Sequence, residues 1–582
     1  MRLHALFLLV AVLAFACASV PPPSPTPRPA KAGPDRPRHP VFGKRDLHIH
    51  LRHVEHPEKP HLEVTLTFRG DPSGKTNLRL PTTWGGHDEL WRGLENVRVD
   101  PPARDQPQQG PSLRTFLHEP DALLRVHYVV HSAVLEAEEA RQPYRPIVSA
   151  DHVHLIGETF LATPEWDDDA FVNVRLSWDL PSSWSVAHSF GVGTEPSLFQ
   201  ARLGQVTHAI YVAGDFRVLR TEVRERPVYV ALRGAWAFTD DELLSLVGRV
   251  VDAERSFFGD DEFPHFLVTM IPTGSGGCCS YGGTGLTNAF ATFIETDRGI
   301  DERMKHLLTH ELFHTWNGRR IGRMEPEQLV YWFSEGFTDY YARLLQLRAS
   351  LIDLPEYVRS YNQTLRQYAL SPVRTEPNRT ILERFWEDPA VERLPYQRGD
   401  VLAHRWNERL RALGRSLDDV MLDLFHEARD NGTVVAPEVI ARLYERYDSR
   451  GIALDLERHV ERGEWIEPSP SALGPCVSLE HVKMGPLDFG FDLETTEQTG
   501  KVTDVNKTGP AFRAGLRDGM QVRRTRTSSD PTRECEVHVG PRGGDVKVFR
   551  YLPQGEPRAV PQYRLDEARY ERDREACLTV FR

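Results

Sequence analysis

Cysteine is scarce, at six in 582 residues. That is too few for a scaffold built from disulfides, so folding must rest on ordinary apolar cores. An excess of basic charge is also missing. Lys and Arg total 71 against 83 Asp and Glu, a formal net charge of −12, which argues against a nucleic-acid role driven by phosphate attraction. No internal repeat is visible, and the apolar run Ala5–Phe15 is shorter than the roughly 20 residues a membrane span needs. What is present is ample core material: 40% hydrophobic residues, with 11 Trp, 27 Phe and 17 Tyr. A mostly disordered chain is therefore excluded, and the length corresponds to about three or four domains.

Residues 1–18 combine a charged start, the apolar run and the small residues Ala16-Cys17-Ala18, the pattern of an export signal. The protein is expected to be exported to the periplasm or cell envelope. Ala14-Phe15-Ala16 before Cys17 resembles a bacterial lipoprotein cleavage site, after which Cys17 would carry lipid. Cleavage after Ala18 would instead leave a soluble protein. Residues 19–44 are proline-rich and read as an extended linker.

From 45 to 225 short alternating runs such as His61–Phe68, Leu123–Val130 and Val172–Trp178 argue for a β-sandwich-like domain. From 226 to 468 the pattern becomes α+β. Val228–Leu232 and Phe266–Ile271 read as strands, Asp240–Phe258 as a helix, and helical patterns run from Glu302 past Val460. After Pro468-Ser469-Pro470, residues 475–582 return to short strands, a separate small domain.

The strongest chemical signal is His310-Glu311-Leu312-Phe313-His314. Residues four apart stack on one helical face, so both imidazoles can hold one metal ion with Glu311 beside them. A zinc hydrolase needs a third protein ligand, and Glu335 can return to the pair through a helix–loop–helix, with Asn317-Gly318 stopping the first helix and Pro326 opening the second. Asp339, one turn later, can accept the second ring N–H of a metal-bound His or simply be solvated. Tyr396, at the opening of the apolar helix Val401–Leu413, is either a core phenol or a donor to an oxyanion.

At His310-Glu311-x-x-His314-x-Trp316-Asn317, Trp332-Phe333-x-Glu335-Gly336-Phe337-Thr338-x-Tyr340-Tyr341 and Tyr396-x-Arg398-Gly399, the chain resembles the glycyl aminopeptidase family of gluzincin zinc metallopeptidases, over nearly everything from about residue 45 onward. The resemblance implies a multidomain α+β fold. Its parts would be the N-terminal β-domain, a thermolysin-like catalytic domain with a helical subdomain, and a C-terminal PDZ-like domain. It implies one Zn2+ per chain on His310, His314 and Glu335, with Glu311 as base and Tyr396 as oxyanion donor. The substrate would be a peptide, cleaved in aminopeptidase-like fashion; an endopeptidase, a non-peptide zinc hydrolase and a PDZ-led peptide-binding protein with a vestigial enzyme domain are the alternatives.

One stretch departs from the family. Its members carry a Gly-Gly-Leu-Glu-His type run on the strand edging the cleft, whose Glu offsets the substrate's ammonium. Tyr281–Asn288 is the corresponding run, with Thr287 for the Glu and Asn288 for the His. Gly283 and Gly285 would still allow an extended peptide to approach. The segment Leu487–Phe491 with Gly509–Gly519 is similar to a bacterial PDZ domain, which would receive a C-terminal peptide. No nucleic acid is expected as a partner, and a membrane only through lipid on Cys17. One disulfide among Cys476, Cys535 and Cys577 is expected after export; adjacent Cys278-Cys279 are not expected to pair.

Overall fold

Alternation along the strands builds the N-terminal half. In His61–Arg69 the side chains of Leu62, Val64, Leu66 and Phe68 are buried and those between them are not. The computed structural model describes residues 42–582, apart from 107–109, 133–143, 274–281, 297–298, 433, 449–450, 529 and 542. The export signal, Cys17, nearly all of the proline-rich linker and Cys278-Cys279 thus lie outside the described residues. Six strands form the first sheet, in the order Ser197–Arg202, Phe171–Asp179, Asp46–Val54, His61–Arg69, Leu123–His131 and Leu94–Val99. A four-stranded sheet containing Lys75–Arg79 and Leu113–Leu117 shares its core through Leu78 and Phe116. In a third sheet, His152–Ile156 and Ile210–Gly214 are buried at every position. Ile156, Ile210 and Val212 there pack against Leu267, Ile271 and Phe293 further along the chain.

Those partners belong to a five-stranded sheet formed by β1 (Arg217–Val223), β2 (Arg226–Leu232), β3 (Phe266–Pro272), β4 (Gly282–Leu286) and β5 (Ala289–Ile294), in the order β1-β2-β3-β5-β4. The strands β2, β3 and β5 are parallel, while β1 and β4 are antiparallel edges. A boundary at 225 therefore cuts a hairpin. Arg224 and Glu225 adopt left-handed conformations, φ 51° and 63°, and the tight turn they form returns β1 onto β2. The change in composition near Arg226 hides this pairing.

Helix α1 (Asp240–Phe258) spans the predicted residues. Thr239 and Glu242 make a capping box at its start, and Gly259 ends it in a left-handed conformation. The longer helices that follow are α2 (Glu302–Phe313), α3 (Gly336–Arg348), α4 (Leu354–Leu370), α5 (Pro389–Ala412) and α6 (Leu417–Asn431). Among the described residues no helix is long and apolar enough to cross a membrane.

The C-terminal segment is not a freestanding unit. Phe491, Val502, Leu516, Val537 and Phe549 form a small core of their own. The flanking pair β6 (Val477–Met484) and β7 (Arg558–Leu565) instead joins the large core of the helices through Val477 and Tyr563. Asn362 of α4 donates to the Tyr563 carbonyl and accepts from its N–H, both at 2.7 Å. Cys476 and Cys577 form the disulfide, leaving Cys535 free and buried.

His154 packs against Phe293 of the five-stranded sheet and His188 against Phe199 and Tyr211, and burial pulls each imidazole down to about 3. Between pH 6.5 and 5 the unfolded chain takes up protons that the folded one refuses, so stability rises with pH there. Each histidine costs up to about 1.4 kcal/mol per pH unit below 6.5. The melting temperature is expected to fall as pH drops from 7 to 5, before ordinary carboxylates titrate. A flat profile would contradict this.

Candidate active site

Asp301 opens α2 by accepting from the Met304 N–H at 2.9 Å, a helix N-cap. Met304, Leu308, Leu312 and Phe313 hold the helix in the core. One face then presents His310, and His314 follows as the residue ending the helix. Their Nε2 atoms lie 3.1 Å apart. Oε2 of Glu335 lies 3.3 Å from His310 Nε2 and 3.1 Å from His314 Nε2. Ligands about 2.0–2.1 Å from a tetrahedral ion are separated by about 3.3 Å, so two imidazoles and a carboxylate meet here with the spacing and chemistry of a zinc site.

The outer ring nitrogens are also engaged. Nδ1 of His310 donates to Asp339 Oδ1 at 2.9 Å, and His306 Nε2 approaches the same oxygen at 2.8 Å. Nδ1 of His314 donates to the Asn317 carbonyl at 3.1 Å. These bonds assign the tautomers that leave both Nε2 lone pairs facing Glu335. Burial alone would raise the Glu335 carboxyl, yet His314, His310 and Arg323 hold it well below the usual range. Burial likewise opposes the Asp339 charge, and His306 and His310 outweigh it.

Glu335 sits at the break between the short helix Tyr331–Ser334 and α3. Helix α5 crosses α3 there: a Cβ built on Gly336 would stand 2.4 Å from Gly399 Cα. Only glycine at both positions allows this approach. Tyr396 is not at a helix start, because α5 begins at Pro389, capped by Asp388, and carries Pro395 within it. The Tyr396 ring stacks on His310, with centroids 6.0 Å apart. Burial first, then Glu335 and Glu311, raises its phenol well above the ordinary value, so it stays protonated and able to donate.

The strand β4 runs beside α2, and a Cβ on Gly285 would be 3.5 Å from the Glu311 carbonyl. Gly283 accepts a 3.0 Å hydrogen bond from the Tyr144 hydroxyl. Thr287 and Asn288 are not on the strand edge as expected. They form the two-residue turn between β4 and β5, with Asn288 left-handed at φ 47°. Thr287 N–H donates to the His208 carbonyl at 2.7 Å, and Asn288 Nδ2 to the Ser189 carbonyl at 3.3 Å. The N-terminal module thus pins this turn away from the metal ligands, and the strand position facing α2 is Gly285. A cavity of about 850 Å³ borders the turn and Thr315 and Arg319, but does not reach the histidine pair.

Three features here escaped the sequence reading. His306, one turn before His310, could have been found by counting helical turns, and Asn317, read only as a helix stop and a family signature, also accepts from His314. Arg319 and Arg323 stand in a visible cationic run, but nothing in it says which would lack a partner. Tyr144 lies 139 residues from Gly283 and left no local signal.

The M61 glycyl aminopeptidase family model matches residues 303–382. No curated protein matches the chain. Among solved structures, an aminopeptidase N family protein from Idiomarina loihiensis superposes with a TM-score of 0.67 at 16% identity, over 89% of this chain and 98% of that one. An M1 zinc metallopeptidase from Deinococcus radiodurans gives 0.47 at 18% identity, over 74% and 98%. A mutant of the latter bound to a Tyr-Ser-Ala substrate gives 0.46 at 20% identity, over 75% and 98%. The likeness to the Idiomarina protein shows a shared multidomain α/β fold. With the family match over the His pair and Glu335, the chain is a zinc metallopeptidase.

Proposed function

We propose that this chain is an exported peptidase that hydrolyses peptide bonds with one zinc ion held by His310, His314 and Glu335. The observation that carries the reading is the meeting of two Nε2 atoms and one carboxylate oxygen within 3.3 Å of one another. Zinc, when bound, supplies Lewis-acid polarisation of water and of the scissile carbonyl. Glu311 accepts the proton of the attacking water and delivers it to the leaving nitrogen. The Tyr396 hydroxyl donates to the developing oxyanion. Asp339 and the Asn317 carbonyl hold the two imidazoles in the tautomers that ligation needs.

The export signal in residues 1–18, with Cys17 as a lipid attachment point, belongs to this proposal. So does a PDZ-like C-terminal module that receives a C-terminal peptide, for which Leu487–Phe491 and Gly509–Gly519 supply the sequence support.

The test is metal-dependent peptide cleavage by the purified full chain. About one zinc per chain is expected. Chelation should abolish hydrolysis of a library of free and N-acetylated peptides, and stoichiometric Zn2+ should restore it. Zinc-loaded protein that cleaves no peptide would overturn the peptidase reading in favour of a different hydrolase or a binding protein.

A further inference from the structure

Arg319 is half-buried beside β4, on the wall of the 850 Å³ cavity. Its Nη2 lies 3.2 Å from where a Cβ on Gly285 would stand. The Glu311 charge attracts the guanidinium and that of Arg323 repels it. The neighbouring arginines are both engaged: Arg323 donates to Glu327 at 3.0 Å, and Arg320 approaches Glu262 at 3.5 Å and Asp260 at 3.6 Å. Among the described residues, no hydrogen bond or salt bridge engages Arg319.

Arg319 is half-buried, and a cation held partly out of water on a cavity wall gains from a carboxylate partner. Burial and then Arg323 pull this guanidinium down to about 9, which still leaves it charged at neutral pH. The adjoining strand offers nothing to offset it or to receive an ammonium, because β4 reads Gly-Gly-Thr-Gly-Leu. The missing side chain at Gly285 lets the Arg319 guanidinium lie against β4, and this makes the wall beside Glu311 electropositive. A substrate's free amino terminus would be repelled there, whereas a carboxylate could take the planar, paired hydrogen bonds a guanidinium provides.

We infer that Arg319 is a specificity-determining residue that binds a carboxylate carried by the peptide close to the cleaved bond. This rests on the zinc-peptidase reading and names its substrate class. The carboxylate has two sources, an acidic side chain or a free C-terminus.

The experiment uses the zinc-loaded full chain. One arm compares N-acetylated, C-amidated peptides that differ only as Glu against Gln at each position flanking the cleaved bond, with products identified by mass. The other compares neutral N-acetylated peptides with free and amidated C-termini. One of the two ratios of kcat/KM is expected to reach roughly tenfold to a hundredfold, the range of a charge-assisted hydrogen bond, mainly through KM. A high Glu/Gln ratio identifies the side chain as the source, and a high free/amide ratio the C-terminus. Arg319→Gln should bring the high ratio to about one, and Arg319→Lys should restore part of it. Both wild-type ratios near one, or a preference that survives Arg319→Gln, would overturn the inference while leaving the peptidase reading intact. If no peptide is cleaved, both fall. The wild-type comparison does not depend on any variant folding.

Discussion

Glu311→Gln is expected to lower kcat by about 10²–10⁴-fold, the usual worth of a positioned proton-transfer group, while the protein keeps about one zinc per chain. The amide is nearly isosteric, so α2 and its buried face stay intact. The donor atoms that converge are those of His310, His314 and Glu335, and Glu311 is not among them. KM should change little, because the lost function is proton transfer and not ground-state binding. Zinc content by mass spectrometry beside steady-state kinetics on one peptide checks both halves. Activity near that of the wild type would mean that another group takes the proton. Loss of zinc together with activity would mean that Glu311 has a structural role at the site.

Gly399→Ala is expected to be as damaging, although it touches no reacting group. A Cβ on Gly399 would lie 1.8 Å from the Trp332 carbonyl oxygen and 2.8 Å from Gly336 Cα. Both obstacles are backbone, so no rotamer change relieves them and α5 must move away from α3. Alanine gains up to about 1 kcal/mol over glycine in a helix interior. Overpacking of a close crossing costs about 1–3 kcal/mol or more, and here the overlap is with backbone, so the cost wins. The catalytic consequence is larger. Glu335 directly precedes Gly336, and Tyr396 is less than one turn from Gly399 on α5. A shift of about 1 Å in positioning can cost 100-fold in rate. The variant should therefore melt at a lower temperature, hold zinc more weakly and lose most activity. Gly299→Ala, with nothing among the described residues within 4 Å of its Cβ, is the control expected to do none of these. A Gly399→Ala protein with normal zinc content and rate would show that the crossing is more compliant than the contact distances imply.

Part of this site was legible before any coordinates. The spacing of His310 and His314 depends only on the helical repeat, and α2 holds both on one face. The extent of α1 was legible as Asp240–Phe258, and the caps the structure shows at Thr239, Glu242 and Gly259 act within one turn. Strand alternation in His61–Arg69 followed from a period of two. The stretch Tyr281–Asn288 shows the limit of this kind of reading. Its residues are local, yet which of them faces α2 depends on where the hairpin turns. That turn is held by Ser189 and His208, far back in the chain and in no local pattern, and it put Gly285 rather than Thr287 beside Glu311.

The sequence by itself determined the His pair, its helix and the presence of nearby carboxylates and a phenol, since these rest on periodicity and capping within a few residues. Glu335 was already the expected third ligand through a helix–loop–helix, and the tertiary structure decided its placement and the rest. It brought Glu335 and Asp339 to the two sides of His310, stacked Tyr396 on the same ring, folded β1 into the catalytic sheet and packed β7 against α4. It also left Arg319 without a carboxylate beside a strand of glycines. Each of these is a juxtaposition of distant segments, set by which faces can pack and which charges can pair once the chain has closed on itself, and no local pattern encodes that.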